Sequence, residues 1–561
     1  MNRLNALALK ILSKTRIVDD EYYKNKYRDV ARSGLDTNYH YFHYGFSEGR
    51  HPNLGMEKFS IWHFERTTSF LIRFFLDEKF YLKYYPDVAG KGLSPAEHYA
   101  SIGRKENRKI NEASATLATW VFFLKLKIRD FKKIPPTEAV LESYRRMLFE
   151  DAQKGIFTSF VANEISRQLN LHENQILLGK FKTISYTELV DAGHEIQILE
   201  PSYPMTFREP EVVDSTAERP PRTVEVPEKW IATIKDAKVV GGFQVLSGDQ
   251  FVIYEPAANP HEGFVAGIWQ YVVSLNHKRD IFLWFRHEKT ITLPAAILLG
   301  GRCSPNYYHW LIEYLGKAYL LSGQPQLEKI PLLVADGMFE QEFESLQALL
   351  PDWPIYRLDN STLLNVDNLY VPSSCTNLAD NLREPMWKTS AVCFKTLQHM
   401  QTRVFSKFGI DPSVRGVRKV FLARRSGRNI ANASEIEALV ASFGYEVVDT
   451  GTLSFEQQVR LFSEARTIIG AMGAAFTNLI FCKPETEVLA LASPYAQLFC
   501  SQSNMALFAG CRYRVLAGSH PLFRPGDELT IADPGLFQDS YTIDPDRLAI
   551  ELDEIERRTA R

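Results

Sequence analysis

Residues 454–478 constrain the fold of this chain more than any other stretch. They read Ser454-Phe-Glu-Gln-Gln-Val-Arg-Leu-Phe-Ser-Glu-Ala-Arg, then Thr467-Ile-Ile-Gly-Ala-Met-Gly-Ala-Ala-Phe-Thr-Asn478. Val459, Leu461, Phe462 and Ala465 fall among the apolar positions of an amphipathic helix. An apolar strand is expected at 467–469, then a turn at Gly470 and Gly473, then a new helix. A strand that passes through glycines into a helix start presents unpaired N–H groups and a positive dipole end, which suit a phosphate. Any α/β protein also needs glycine at such turns, so an ordinary turn stands beside the phosphate site as an alternative.

The 561 residues are enough for three or so domains. With 45% apolar and 24% charged residues the composition is that of a soluble globular protein. A net charge of −2 provides no basic field for nucleic acid, so that partner is excluded. Cys303, Cys375, Cys393, Cys482, Cys500 and Cys511 lack CxxC spacing, which argues against a disulfide framework or a zinc site and for a reducing compartment. No run of about 18 apolar residues is present, so no membrane span is expected, and the N-terminus lacks a cleavable signal pattern. Basic amphipathic segments at 1–14 and 120–133 fit either packed helices with solvated basic faces or contact with a membrane surface. The chain is therefore expected to be cytoplasmic, with room for peripheral contact on the inner face of the cytoplasmic membrane.

An internal repeat marks the N-terminus. Asp19-Asp-Glu-Tyr-Tyr-Lys-Asn-Lys-Tyr-Arg-Asp-Val30 returns as Asp77-Glu-Lys-Phe-Tyr-Leu-Lys-Tyr-Tyr-Pro-Asp-Val88, at an offset of 58. Gly34 then pairs with Gly92, His40 with His98, Gly45 with Gly103, Glu48 with Glu106, Arg50 with Arg108 and Asn53 with Asn111. Each unit is expected to form two short helices whose tyrosines pack as core, with sugar stacking as a secondary use of the rings. The units resemble D-x-x-Y-Y-L-x-x-Y-P-D-V repeats found beside glycosyltransferase domains in bacterial polysaccharide enzymes.

Four regions follow from the pattern: a helical repeat module at 1–115, a helical connector at 116–190, and two α/β halves at 191–400 and 401–561. The Pro-rich stretch 209–221 is expected to be a loop, and 237–292 a set of short strands.

Two further segments carry chemistry. In Asn306-Tyr-Tyr-His-Trp-Leu-Ile-Glu313, helical geometry would place His309 and Glu313 on one face. A carboxylate beside an imidazole can act as a general base on a hydroxyl; a buried aromatic helix with a solvated Glu is the plainer alternative. In Leu422-Ala-Arg-Arg-Ser-Gly-Arg-Asn-Ile-Ala-Asn432, Arg424, Arg425 and Arg428 crowd a strand's C-terminal end, and guanidinium forks match phosphate oxygens. A solvated basic loop is the alternative there.

The order of Asn306–Glu313 motif, Arg loop, Leu453-Ser-x-Glu456-x-Gln458 and Gly470-x-x-Gly473…Thr477-Asn478 resembles glycosyltransferase family 61 and its capsular polysaccharide branch. The resemblance implies a GT-B-like fold of two Rossmann-like halves and an inverting, metal-independent transfer from a nucleotide sugar. It implies donor contacts from Arg424, Arg425, Arg428, Gly473, Ala474, Thr477 and Asn478. Glu313 would be the base with His309 beside it, and Asn306, Tyr308, Asn432, Glu456 and Gln458 would bind acceptor or support the site. The acceptor would be an oligosaccharide or lipid-linked glycan of a growing surface polysaccharide, handled with other assembly proteins. No cofactor is implied.

Three positions depart from the family pattern: Met472 replaces a His, Glu313 replaces an Asp, and Ala433 follows Asn432 in place of a Glu. These fit a divergent donor or acceptor; the alternative is a non-catalytic glycan-binding or scaffold protein on a decayed transferase fold. Asp544-Pro-Asp546 imitates a metal-binding D-x-D, but its place before a helical stretch reads as a helix cap.

Overall fold

The computed structural model describes residues 18–33, 36–41, 50–54, 76–85, 88, 93–104, 108, 110–111, 176–217, 221–253, 272–277, 280–301, 304–376, 391–425, 427–524 and 539–560. The chain divides into two compact units, Met1–Gly179 and Lys180–Arg561. The basic segments 1–14 and 120–133, Cys303, and the repeat positions Gly34, Gly45, Glu48, Gly92 and Glu106 lie outside the described residues.

In the first unit, the two segments offset by 58 make matching contacts. Asp19 and Asp77 accept the amides of Tyr22 and Phe80 at 3.0 and 2.9 Å, capping the helices Asp20–Lys26 and Glu78–Tyr84. Tyr23 and Tyr81 are fully buried, and their hydroxyls meet His40 Nδ1 and His98 Nδ1 at 3.3 and 3.2 Å. Arg50 and Arg108 each lie 4.8 Å from the ring centre of Tyr27 and Tyr85. Gly103 packs so close to Tyr81 that a Cβ there would collide with its hydroxyl.

The second unit holds two large sheets and a two-stranded ribbon, Tyr203–Phe207 with Arg222–Val226. The larger has eleven strands. Its parallel part runs Ile355–Leu358, Leu332–Ala335, Lys289–Leu298, Thr362–Pro372. From there Lys229–Val240, Gln244–Ser247 and Gln250–Ile253 continue as an antiparallel meander. The expectation of two Rossmann-like halves thus needs correction for the first half, whose sheet is mixed. Gly242 and Gly248 adopt φ of 69° and 56° in tight turns, and only antiparallel strands can be joined so closely. The connector expected to be helical ends instead in a strand, Ile176–Ser185, where Phe181, Thr183 and Ile184 are buried around an exposed Lys182.

The smaller sheet runs Glu446–Val448, Arg418–Leu422, Ala465–Ala471, Glu487–Ala492, Arg512–Ala517, all parallel. Its last edge is closed by Glu211–Val212, from within the stretch expected to be a loop. This segment is drawn in because its short strand satisfies edge groups of Arg512–Ala517.

One apolar core runs from Ile184 to Val515 and belongs to both sheets. The helices Glu340–Leu349, Phe394–Phe408 and Phe455–Ser463 contribute to it, with Phe455 meeting Phe408 and Phe481 at ring distances of 6.0 and 5.8 Å. The helices Ala433–Ser442 and Pro545–Thr559 cover a separate core on the smaller sheet. Asp544 caps the latter helix by accepting the amides of Asp546 and Arg547 at 3.0 and 3.3 Å. Among the described residues, no helix is long and apolar enough to cross a membrane.

Candidate active site

In the smaller sheet, the chain leaves Arg418–Leu422 toward one edge and Ala465–Ala471 toward the other. The crevice at the C-terminal ends of these two neighbouring strands is therefore a topological switch point, where open α/β sheets bind ligands. The described residues that border it are 423–425, 427–429 and 472–478.

Glycine is required on both strands' sides of this crevice. A Cβ on Gly470 would press on the backbone of Leu422, and one on Gly473 would collide with the Arg424 guanidinium. Gly473 is extended, with φ of 178°, so its need is for space and not for an unusual backbone. Arg424 Nε donates to the Gly427 carbonyl. Arg428 adopts φ of 47°, a strained conformation of the kind that gathers at binding sites. Burial holds the Arg424 pKa below the usual value, and burial with the nearby Arg424 charge brings Arg428 down to about 10. Two crowded, partly desolvated guanidinium groups make a place where an anion is favoured.

The other expected contacts of this half do not converge there. Arg425 points away and pairs with Glu437 through bonds of 2.6 and 3.2 Å. Asn432 clamps Ile543, donating to its carbonyl at 2.8 Å and accepting its amide at 3.1 Å. Glu456 pairs on the helix surface with Arg460 at 2.7 Å. Each of the three already has a good partner, Glu456 on its own helix and the other two on neighbouring segments.

Past Gly473 the chain forms the new helix expected there, of the 3₁₀ type, Ala474–Phe481. Ala474 is half-buried at its start, and Thr477 and Asn478 are fully buried. Asn478 Nδ2 donates to Gln458 Oε1 at 2.8 Å, and Gln458 Nε2 donates to the carbonyls of Thr450 and Leu453 at 3.0 and 3.3 Å. Asn478 Oδ1 in turn accepts from the Tyr307 hydroxyl at 2.7 Å. Gln458 and Asn478 thus form an internal relay that ties the 472–478 loop to the helix at 307. Sequence reasoning missed Tyr307, although it sits between two residues singled out.

That helix is short, Tyr307–His309, and widens into a π turn, Trp310–Tyr314. Such turns are frequent at functional sites because they re-aim side chains. Asn306 Oδ1 caps it by accepting the amides of Tyr308 and His309 at 3.1 and 3.5 Å. Trp310 anchors it from within, its indole donating to Ser345 Oγ at 2.9 Å. His309 Nδ1 meets Glu313 Oε2 at 3.0 Å, with the side chains 20% and 14% exposed. The pair is thus reachable but largely shielded. Tyr308 is buried edge-on to the His309 ring at 5.2 Å, and burial raises its hydroxyl pKa. This arrangement brings the two residues together as the i,i+4 spacing predicts, and a carboxylate so oriented can take a proton from a hydroxyl.

Met472 is buried among core residues and its amide donates to Leu491 at 2.8 Å. Among the described residues, no three His, Cys, Asp or Glu side chains are grouped so as to hold a metal ion.

Residues 307–489 match the family model described as Glycosyltransferase 61, a span that holds the His309–Glu313 pair, the Arg loop and the Gly473–Asn478 segment. No curated protein matches the chain.

Proposed function

We propose, from the match of residues 307–489 to the Glycosyltransferase 61 model, an enzyme that moves a sugar from a donor to an acceptor, by inverting transfer from a nucleotide sugar to a bacterial surface polysaccharide or its lipid-linked precursor. One observation carries this reading. The Tyr307–Asn478 bond seats the helix bearing His309 and Glu313 on the loop that begins at Gly473, where Arg424 lies. In this reading a proton acceptor and an anion-binding pair of arginines flank one space.

In this mechanism Arg424 and Arg428 hold the diphosphate, and Gly473 leaves room for the Arg424 guanidinium. Glu313 takes the acceptor hydroxyl's proton while His309 orients its carboxylate. The freed oxygen attacks the anomeric carbon from the face opposite the leaving group. The bond from that carbon to the phosphate oxygen breaks, and its electron pair leaves with the nucleoside diphosphate. The guanidinium charges balance the charge that develops there, so we propose that no divalent ion is needed. A GT-B-like pairing of acceptor half and donor half fits this division of labour. We place the reaction in the cytoplasm, at the inner membrane face, with the aromatic repeats contacting glycan or other assembly proteins.

A thermal-shift panel of UDP, GDP, CDP, CMP and dTDP, with and without divalent metal, tests the donor side. A nucleotide at 100 times its Kd is expected to stabilise the protein by about 2.7 kcal/mol without metal. Glu313→Gln is expected to abolish transfer and leave that shift intact. No shift with any nucleotide, or full activity in the variant, would sink the respective half of the reading.

A further inference from the structure

The end of the strand Lys289–Leu298 is shaped by a strained residue that the mechanism above does not use. Phe243, in the turn between Lys229–Val240 and Gln244–Ser247, adopts φ of 59°, directly after Gly242 at 69°. Successive left-handed residues at a hairpin corner favour Gly, Asn or Asp, and a bulky side chain there is an outlier. The turn is pinned in this form: the Gly242 amide donates to Asn360 Oδ1 at 3.2 Å, and Gln244 Nε2 donates to the Gly241 carbonyl at 3.0 Å. What the strain secures is the place of the ring. Phe243 is buried, and the tip of its ring lies so close to Gly300 that a Cβ there would collide with it.

Gly300 and Gly301 follow that strand, on the way to the helix at 307. The amides of Leu299 and Gly300 both donate to the Leu333 carbonyl at 3.1 Å, which anchors the backbone there. Gly301 repeats the arrangement of its neighbour with a second ring: a Cβ on it would collide with Tyr314. Tyr314 ends the π turn Trp310–Tyr314 and follows Glu313 in the chain. It is buried, and the Lys317 ammonium lies 5.6 Å from its ring centre. Two adjacent glycines thus seat two rings, one from the antiparallel meander and one from the turn that carries Glu313.

We propose that Phe243 is a positioning residue: its ring, pressed on Gly300, fixes the Gly300–Gly301 corner on which Tyr314 rests, and so holds Glu313 beside His309. This rests on the reading of Glu313 as the base given above. The physical argument is one of packing. Protein interiors are close-packed, so a ring withdrawn from Gly300 frees the corner, and a shift at Gly301 is passed directly to the Tyr314 ring. Strain such as that at Phe243 persists where the surrounding structure over-determines it, and it gathers where position matters. A base is such a place, because a proton acceptor displaced by about 1 Å loses much of its rate.

The test is a size swap in the full chain. Phe243→Leu shortens the side chain, and Gly300→Ala pushes a methyl group into the ring, whose atoms are the three nearest to a Cβ there. Each change alone is expected to lower kcat per folded molecule by about 10- to 100-fold at unchanged donor KM, as misplaced catalytic groups do. In the double variant the methyl group fills space that the ring gives up, so most of the lost kcat is expected to return. Beside the kinetics, the chain is labelled with 3-fluorotyrosine and the Tyr314 resonance is assigned by Tyr314→Phe. That ¹⁹F resonance is expected to shift in each single variant and to move back in the double variant. Wild-type kcat in either single variant would overturn the proposal. So would losses that multiply in the double variant, a donor KM raised as far as kcat falls, or an unmoved Tyr314 resonance. If one single variant does not fold, the other decides by the same two readouts. Absence of any transfer by the wild type would instead overturn the reading of function, and the Tyr314 resonance would alone decide the Phe243–Tyr314 link.

Discussion

Gly473 borders the crevice, and the reason for glycine there is steric: the Arg424 guanidinium occupies the place a side chain would take. Its backbone is extended, so alanine is tolerated conformationally and the effect of substitution falls on Arg424 alone. Gly473→Ala is therefore expected to leave the fold intact and raise donor KM by about tenfold, the loss of one well-placed charged contact of ~1.5 kcal/mol. Steady-state kinetics beside a thermal melt would check this; a collapsed melting temperature with normal KM would refute it. The Gly and Arg types at this position were legible in the chain, since both are residues that phosphate sites need. Which arginines converge was not. Arg424, Arg425 and Arg428 look alike in sequence, but Arg425 is turned away by Glu437, twelve residues on.

Elements are joined by polar networks that no local pattern announces. Glu200, at the end of the strand Glu195–Glu200, receives Lys395 at 3.0 Å and Lys229 at 3.2 Å, together with the Tyr319 hydroxyl. Burial alone would raise its pKa, but these three partners outweigh it and hold the carboxyl near 2. The sign is that of a depressed acid: the stabilisation is present above the unfolded pKa of about 4.5 and is lost as pH falls toward 2. Glu200→Gln is expected to cost up to roughly 3 kcal/mol at neutral pH and to flatten the acid limb of stability. Urea unfolding at pH 7 and at pH 3 would show it, and equal losses at both would refute the linkage. The Tyr307–Asn478–Gln458 relay is of the same kind. Its members were partly singled out as ligand contacts, because a buried Asn and a ligand-binding Asn are the same letter until their partners are seen.

At the scale of the molecule, the two sheets are held together by more than their shared core. The segment after Phe207 crosses over to close the edge of the smaller sheet, with the Val213 amide donating to Val515 at 2.8 Å. Val213→Pro removes that donor and is expected to destabilise the protein by about 1–3 kcal/mol, read as a lower urea midpoint. An unchanged midpoint would mean the edge is closed without it. Alternating strands and helices, the glycine turn and the i,i+4 pair His309–Glu313 followed from the sequence alone, because each depends on periodicity or on residue type over a few positions. Only the tertiary structure decided that the first sheet is mixed, that a Pro-rich stretch completes the second, and that Tyr307 meets Asn478. These are matters of strand pairing and burial between residues far apart in the chain, and no local spacing encodes which distant groups will meet.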